Sequence, residues 1–214
     1  MGKALLMPIE LTELLEPART ALVISECQRG VIGDLARLPD LGDAAGYGAE
    51  EGVVANVAAL ARLARDCGVQ VIHGTAIRRA DGRGANTNAR LFAAMAKLDP
   101  MLPGSPDAEV VPEIGVDERD IELPRLHGLN PMHGTELDAV LRNLGITTIV
   151  VAGVSVNIAL TNLVFDAVNL GYRVVVPRDA VAGVPAEYAD AVIDNSLSLC
   201  AAITTSDEVG NAWQ

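Results

Sequence analysis

Short apolar runs rich in β-branched residues return along this chain at residues 20–25, 70–73, 147–152 and 173–176, with helix-length amphipathic stretches between them. That alternation leaves few folds open. Strands apolar on both faces must be covered on both faces, and strands joined by helices pair in parallel through right-handed crossovers. The helices follow from spacing. Val53, Val57, Leu60 and Ala64 recur at helical intervals before a stop at Gly68. Leu137, Val140, Leu141 and Leu144 share one face, with Thr135 as an N-terminal cap and Gly145 as the stop. Further helices are expected over 90–97, over 157–169 before Gly171, and over 186–201, and residues 120–123 offer a fifth strand. The expected fold is α/β: a three-layer α-β-α sandwich with a central, mainly parallel sheet. It fills one domain over 1–214, with 1–18 as an N-terminal extension.

Half of the 214 residues are hydrophobic but only 3% are aromatic, so Ala, Val, Leu and Ile must build the core. A net charge of −12 gives an acidic surface that repels phosphate backbones and anionic membranes. Neither nucleic acid nor a membrane is an expected partner. No apolar run is long enough to span a bilayer, and the opening MGKALLMPIELTELLEP, broken by Pro8, Glu10 and Glu13, does not read as a signal peptide. Cys27, Cys67 and Cys200 have no metal-ligand spacing and read as reduced, mostly buried thiols of a cytoplasmic protein. His73, His127 and His133 are scattered, with no helical i, i+4 pair, so neither a metal site nor a cofactor is expected.

In such sheets ligands bind beyond the carboxyl ends of the strands. Glu26 follows the first apolar strand directly, as an acid whose pKa an apolar pocket would raise until it can donate or remove a proton. Gly153-Val154-Ser155 turns from a strand into a helix, where backbone N–H groups attract anions. His127 lies in the loop RLHGLNPMHG, within reach of hydrogen bonding to a substrate or sharing a proton with Glu26. His73 ends a strand and reads equally as a satisfied core histidine. Arg78, Arg79 and Arg83 form a basic loop that either binds a carboxylate or is simply solvated.

Four stretches, in order, carry a resemblance over nearly the whole chain: ALVISECQRG, EVVPEI followed by Asp120, HGTELDAVLRNLGITTIVVAGVSVNIALTNLVFDAVNLGY, and YRVVVPRDAVAG. Together they resemble the isochorismatase-like (cysteine hydrolase) superfamily. That resemblance implies an Asp base, a Lys and a Cys nucleophile. Here Glu26 stands at the Asp position and Ala159 at the Cys position. The Lys position falls on Arg125 when counted forward from Asp120, and on Leu126 when counted back from Gly134-Thr135. Cys27 neighbours Glu26, but adjacent strand residues point to opposite faces. The resemblance also implies a strained, often cis, peptide in the Gly153-Val154-Ser155 turn, with N–H groups that stabilise an oxyanion, and a homodimer or homotetramer.

The function expected from this reading is an isochorismatase-family hydrolase without a cysteine nucleophile. It acts by acid–base chemistry on a small, carboxylated metabolite. Glu26, Arg125 and His127 are the catalytic candidates. Gln28, Asn130, Val154, Ser155, Asn157 and Ala159 are the substrate-binding candidates. Vinyl-ether hydrolysis fits, with Glu26 protonating the enol carbon and water attacking the resulting oxocarbenium ion. The alternatives are a catalytically inactive family member that serves as a ligand-binding or scaffold protein, and an amidase with a displaced thiol.

Overall fold

A computed structural model of the chain describes residues 10–214. Seven strands, β1 (Thr20–Ser25), β2 (Gln70–Ala76), β3 (Ile121–Arg125), β4 (Thr148–Val154), β5 (Arg173–Pro177), β6 (Val181–Ala182) and β7 (Ala202–Thr204), form one sheet. Its order is β3-β2-β1-β4-β5-β7, with β6 beside β4, and every pairing is parallel. Eight α-helices connect and flank the strands among the described residues: α1 (Leu11–Leu14), α2 (Pro39–Ala44), α3 (Val53–Asp66), α4 (Arg90–Met95), α5 (Leu137–Asn143), α6 (Thr161–Asn169), α7 (Ala186–Asn195) and α8 (Ser206–Trp213). None is long and apolar enough to cross a membrane.

The sheet separates two cores. Leu22 and Ile24 of β1 point into the one covered by α1, α3 and α8, whereas Ala21 and Val23 point into the one covered by α5, α6 and α7. β4 alternates in the same way, with Val150 and Ala152 on one side and Ile149 and Val151 on the other. Both strands are therefore buried throughout, because a central parallel strand has no solvent face.

Three expectations change. The helix read over 186–201 stops at Asn195; the chain turns inward at the buried Leu197 and enters β7. Helix α8 was not expected, although Thr205 and Glu208 form a capping box at its start. Of the supposed extension 1–18, residues 1–9 lie outside the described residues, while Leu14 and Leu15 are buried in the first core. Residues 10–18 thus belong to the domain. All three cysteines are free; Cys27 is buried and Cys67 and Cys200 are half-buried.

A buried polar cluster fastens the β2–β3 edge. Asp120, just before β3, accepts hydrogen bonds from Arg65 of α3 (Nη2 to Oδ2 2.6 Å, Nε to Oδ1 3.2 Å) and from the Asp117 amide at 3.0 Å. His73 Nε2 lies 2.9 Å from the same carboxylate, so His73 is a core histidine in mid-strand. Burial pushes the Asp120 carboxyl up, but the bonds from His73, Arg65 and Asp117 outweigh it and hold the group well below the usual range. A carboxyl depressed by folding adds stability that is complete above its unfolded pKa of about 3.9 and is lost as pH falls below it. Asp120→Asn is expected to cost about 3 kcal/mol at pH 7, since it strands a largely buried guanidinium. It should also flatten the fall in stability below about pH 4. Urea unfolding of both proteins across this pH range is the check; an identical acid limb in the two would contradict it.

Candidate active site

Two long side chains meet across the strand that separates them. Glu26 follows β1 in the left-handed conformation, with φ 54°, and its amide donates to the Gly74 carbonyl at 2.9 Å. That conformation costs a non-glycine residue about 1–2 kcal/mol. It takes the Glu26 side chain out of the strand's alternation. Arg125 is the last residue of β3, and β2 runs between. Neighbouring strands lie about 4.8 Å apart, so β1 and β3 are separated by roughly 10 Å. The Arg125 guanidinium closes this gap: Nη2 donates to Glu26 Oε1, and Nε donates to the Gly128 carbonyl at 3.3 Å. Ala76, in register with Arg125 on β2, is small enough to leave the path open.

The Arg125 side chain is 5% exposed, and its Nη1 is buried with no partner. Burial lowers its pKa to about 10, still far above neutrality. A guanidinium on a carboxylate favours the charged form of each. The contact with Arg125 therefore counts against the neutral acid expected at Glu26. Of the two residues competing for the Lys position, Arg125 meets Glu26, while Leu126 is partly exposed on the wall of the cavity described next.

Glu26 and Arg125 line a cavity of about 250 Å³, together with His127, Ser155 and Ala159. The Val154–Ser155 peptide is cis, and Val156–Leu160 is wound as a π-turn that runs into α6. Ala159, in that turn, presents only a methyl group. No cysteine lines the cavity. The Cys27 thiol is pushed up to about 12 by burial and lies 3.7 Å from the Ser25 carbonyl oxygen. It is neutral and faces away from the site, which removes the displaced-thiol alternative. Gly153, at φ 99°, lets β4 approach β1 beneath the site: a Cβ there would sit on the Ser25 carbonyl oxygen and 3.0 Å from Cys27 Sγ.

Other candidates lie elsewhere. Gln28 is fully buried; its Nε2 donates to the Ala76 and Ala108 carbonyls, each at 2.9 Å, and its Oε1 accepts from the Ala76 amide at 2.7 Å. Asn130 bonds Asp166 and the Met132 and His133 amides. Asn157 spends both ends of its amide on the Val184 backbone. Val154 is buried off the cavity. The three amides hold backbone in place rather than lining the cavity, because loops at strand ends carry peptide groups that must be satisfied. His127 does face the cavity, its ring 4.4 Å from that of Phe92. The basic loop divides: Arg78 lines the cavity with no ion pair among the described residues, whereas Arg79 pairs with Asp81 and Arg83 is exposed. Sequence reasoning missed the apolar wall of Leu91, Phe92, Met95 and Leu98, whose helical spacing was its only signal. No group of three or more His, Cys, Asp or Glu among the described residues is placed to hold a metal ion.

Gly153→Ala is expected to cost about 3 kcal/mol, the sum of a left-handed alanine and an overpacked strand pair. Gly171, at φ 94° with open space around it, is the control: Gly171→Ala should cost only about 1 kcal/mol. Chemical denaturation measures both, and equal losses would mean that the β1–β4 approach is not tight.

A family model described as an isochorismatase domain matches residues 20–208. The chain is 32% identical over 127 residues to the uncharacterized isochorismatase family protein YecD of Escherichia coli O157:H7, covering 56% of this chain and 66% of that protein. It is 32% identical over 133 residues to the maleamate amidohydrolase of Pseudomonas putida, covering 61% of each. The chain thus spans just under two thirds of these relatives. Among solved structures, the cysteine hydrolase from Pseudomonas syringae pv. phaseolicola 1448A superposes with a TM-score of 0.78 over 94% of both chains, at 24% identity, a likeness of fold.

Proposed function

Because the chain belongs to the isochorismatase family, we propose that it is a hydrolase of a small, carboxylated metabolite that activates water through Glu26 and uses no cysteine. The observation that carries this reading is the Glu26–Arg125 pair inside the cavity, with Ala159 lining the same cavity. In the proposed reaction the Glu26 carboxylate takes a proton from water as the water oxygen bonds to the substrate carbonyl carbon. The carbonyl electron pair moves onto oxygen, and the positive charge of Arg125, which lines the cavity, stabilises it. Collapse re-forms the C=O bond and breaks the bond to the leaving nitrogen or oxygen, which receives the proton held by Glu26. An acid and an amine or alcohol result.

Arg78, at the cavity wall with no ion pair among the described residues, supports recognition of a carboxylate. The relative named a maleamate amidohydrolase acts, by its name, on a small amide that also bears a carboxylate, which supports the same substrate class. His127 is assigned to orient the substrate. The second reading, a ligand-binding protein without catalysis, is favoured by one observation, the methyl of Ala159 where the resemblance implies a nucleophile. The exposed Phe165 and Val168 of α6 support assembly as a homodimer or homotetramer.

Ammonia release from maleamate and from half-amides of longer dicarboxylic acids provides the test. Glu26→Gln is expected to lower kcat by about 10²- to 10⁴-fold with little change in KM. Wild-type turnover should survive iodoacetamide, and mass spectrometry during turnover should find no covalent adduct. A fully active Glu26→Gln enzyme, or a trapped thioester, would sink the water mechanism; binding without turnover across the panel would favour the second reading.

A further inference from the structure

The polar and apolar parts of the cavity are unevenly divided. Glu26, Arg125, His127 and Ser155 supply a polar constellation, Arg37, Arg78, Asn86 and Asp99 add further polar groups, and much of the remaining wall is hydrocarbon. Helix α4 contributes Leu91, Phe92 and Met95, and Leu38 and Leu126 line the wall from two other segments. Leu38, Leu91 and Leu126 are 45%, 38% and 38% exposed although they line a concave surface. Helix α4 makes the point more sharply. It has six residues, none of them buried, and a helix so short is unstable without a packed apolar face. The cavity is what its Leu91, Phe92 and Met95 face. A concave wall of this composition around a few polar groups is the usual design of a small-molecule site.

We propose that the substrate carries an apolar body, an alkyl chain or an aryl ring, beyond its reacting and carboxylate groups, and that the α4 wall selects such molecules over small polar ones. The inference rests on the reading of this cavity as the substrate site. Each methylene placed against the wall leaves water, which tightens binding about fourfold per methylene. The polar groups fix one end of the ligand and the wall measures the length of the rest.

The experiment is calorimetric titration of the full chain with the straight-chain carboxylates acetate, butanoate, hexanoate and octanoate at fixed ionic strength. The expected result is a Kd that falls about fourfold per added methylene. Leu91→Asp and Leu126→Asp replace partly exposed side chains, so folding is not at stake. Each is expected to weaken octanoate by roughly tenfold or more while leaving butanoate within about twofold. Equal affinities along the series, no binding by any member, or octanoate binding indifferent to both substitutions would each overturn the proposal. So would a failure of octanoate to bind combined with Leu91→Asp turning an oligomer into a monomer, because the wall would then be a contact between copies. Binding is read without turnover. A rising chain-length series with an inert enzyme removes the catalytic reading alone, and hydrolysis of half-amides with a flat series removes this proposal alone.

Discussion

The site depends on a charge that cannot stand alone. Arg125 is almost fully buried, and a buried guanidinium carries a desolvation penalty of several kcal/mol unless an anion answers it. Glu26 is that anion, but it stands on a strand two places away in the sheet. Bridging the gap takes a long acid, a long base, a small residue on the strand between them and a left-handed turn at Glu26. The strand on the other side of β1 must also come close, which Gly153 permits. Removing the acid would leave a buried charge without its partner, and the pair links the end of β1 to the end of β3 across β2.

Topology explains why the cavity opens where it does. From β1 the chain adds β2 and then β3 on one side, and then crosses back to place β4 on the other side of β1. Connections leaving β1 and β4 therefore diverge, and a crevice forms between them at their carboxyl ends. Glu26 leaves β1 on one side of that crevice, and Ser155 leads from β4 into the π-turn on the other. The order of the strands thus supplies the opening, and the residues just beyond them supply its chemistry.

The fold was legible because its central strands have no solvent face. TALVIS and TIVVAGV are buried at every position, so unbroken apolar runs marked them. Two-residue β6 and three-residue β7 carry no periodicity to read. At the site, Glu26 and Ala159 were readable from their place behind a strand and a turn, but a one-residue ambiguity at Arg125 could be removed only by seeing which side chain reaches Glu26. Gln28, Asn130 and Asn157 misled for a chemical reason. An amide side chain carries a donor and an acceptor, so it serves a ligand or a stretch of backbone equally well. In all three the backbone had the prior claim.

Arginine also limits which groups can move protons. A lysine in such a place could lose its proton when buried, whereas a guanidinium holds its charge. Even with its pKa lowered to about 10, Arg125 remains a cation at neutral pH. It can stabilise negative charge and hold Glu26 ionised, but it cannot act as an acid or a base. With the thiol of Cys27 buried away from the cavity, the groups lining it that could exchange a proton are Glu26, His127 and Asp99. One carboxylate that begins ionised can take a proton from water and return the same proton to the leaving group, which closes a hydrolytic cycle without a second acid. Protonating an unactivated enol carbon at the first step would need that carboxylate neutral, against the pull of its own partner. The ion pair thus fits the proposed attack by water on a carbonyl better than the vinyl-ether route, whatever the apolar wall selects.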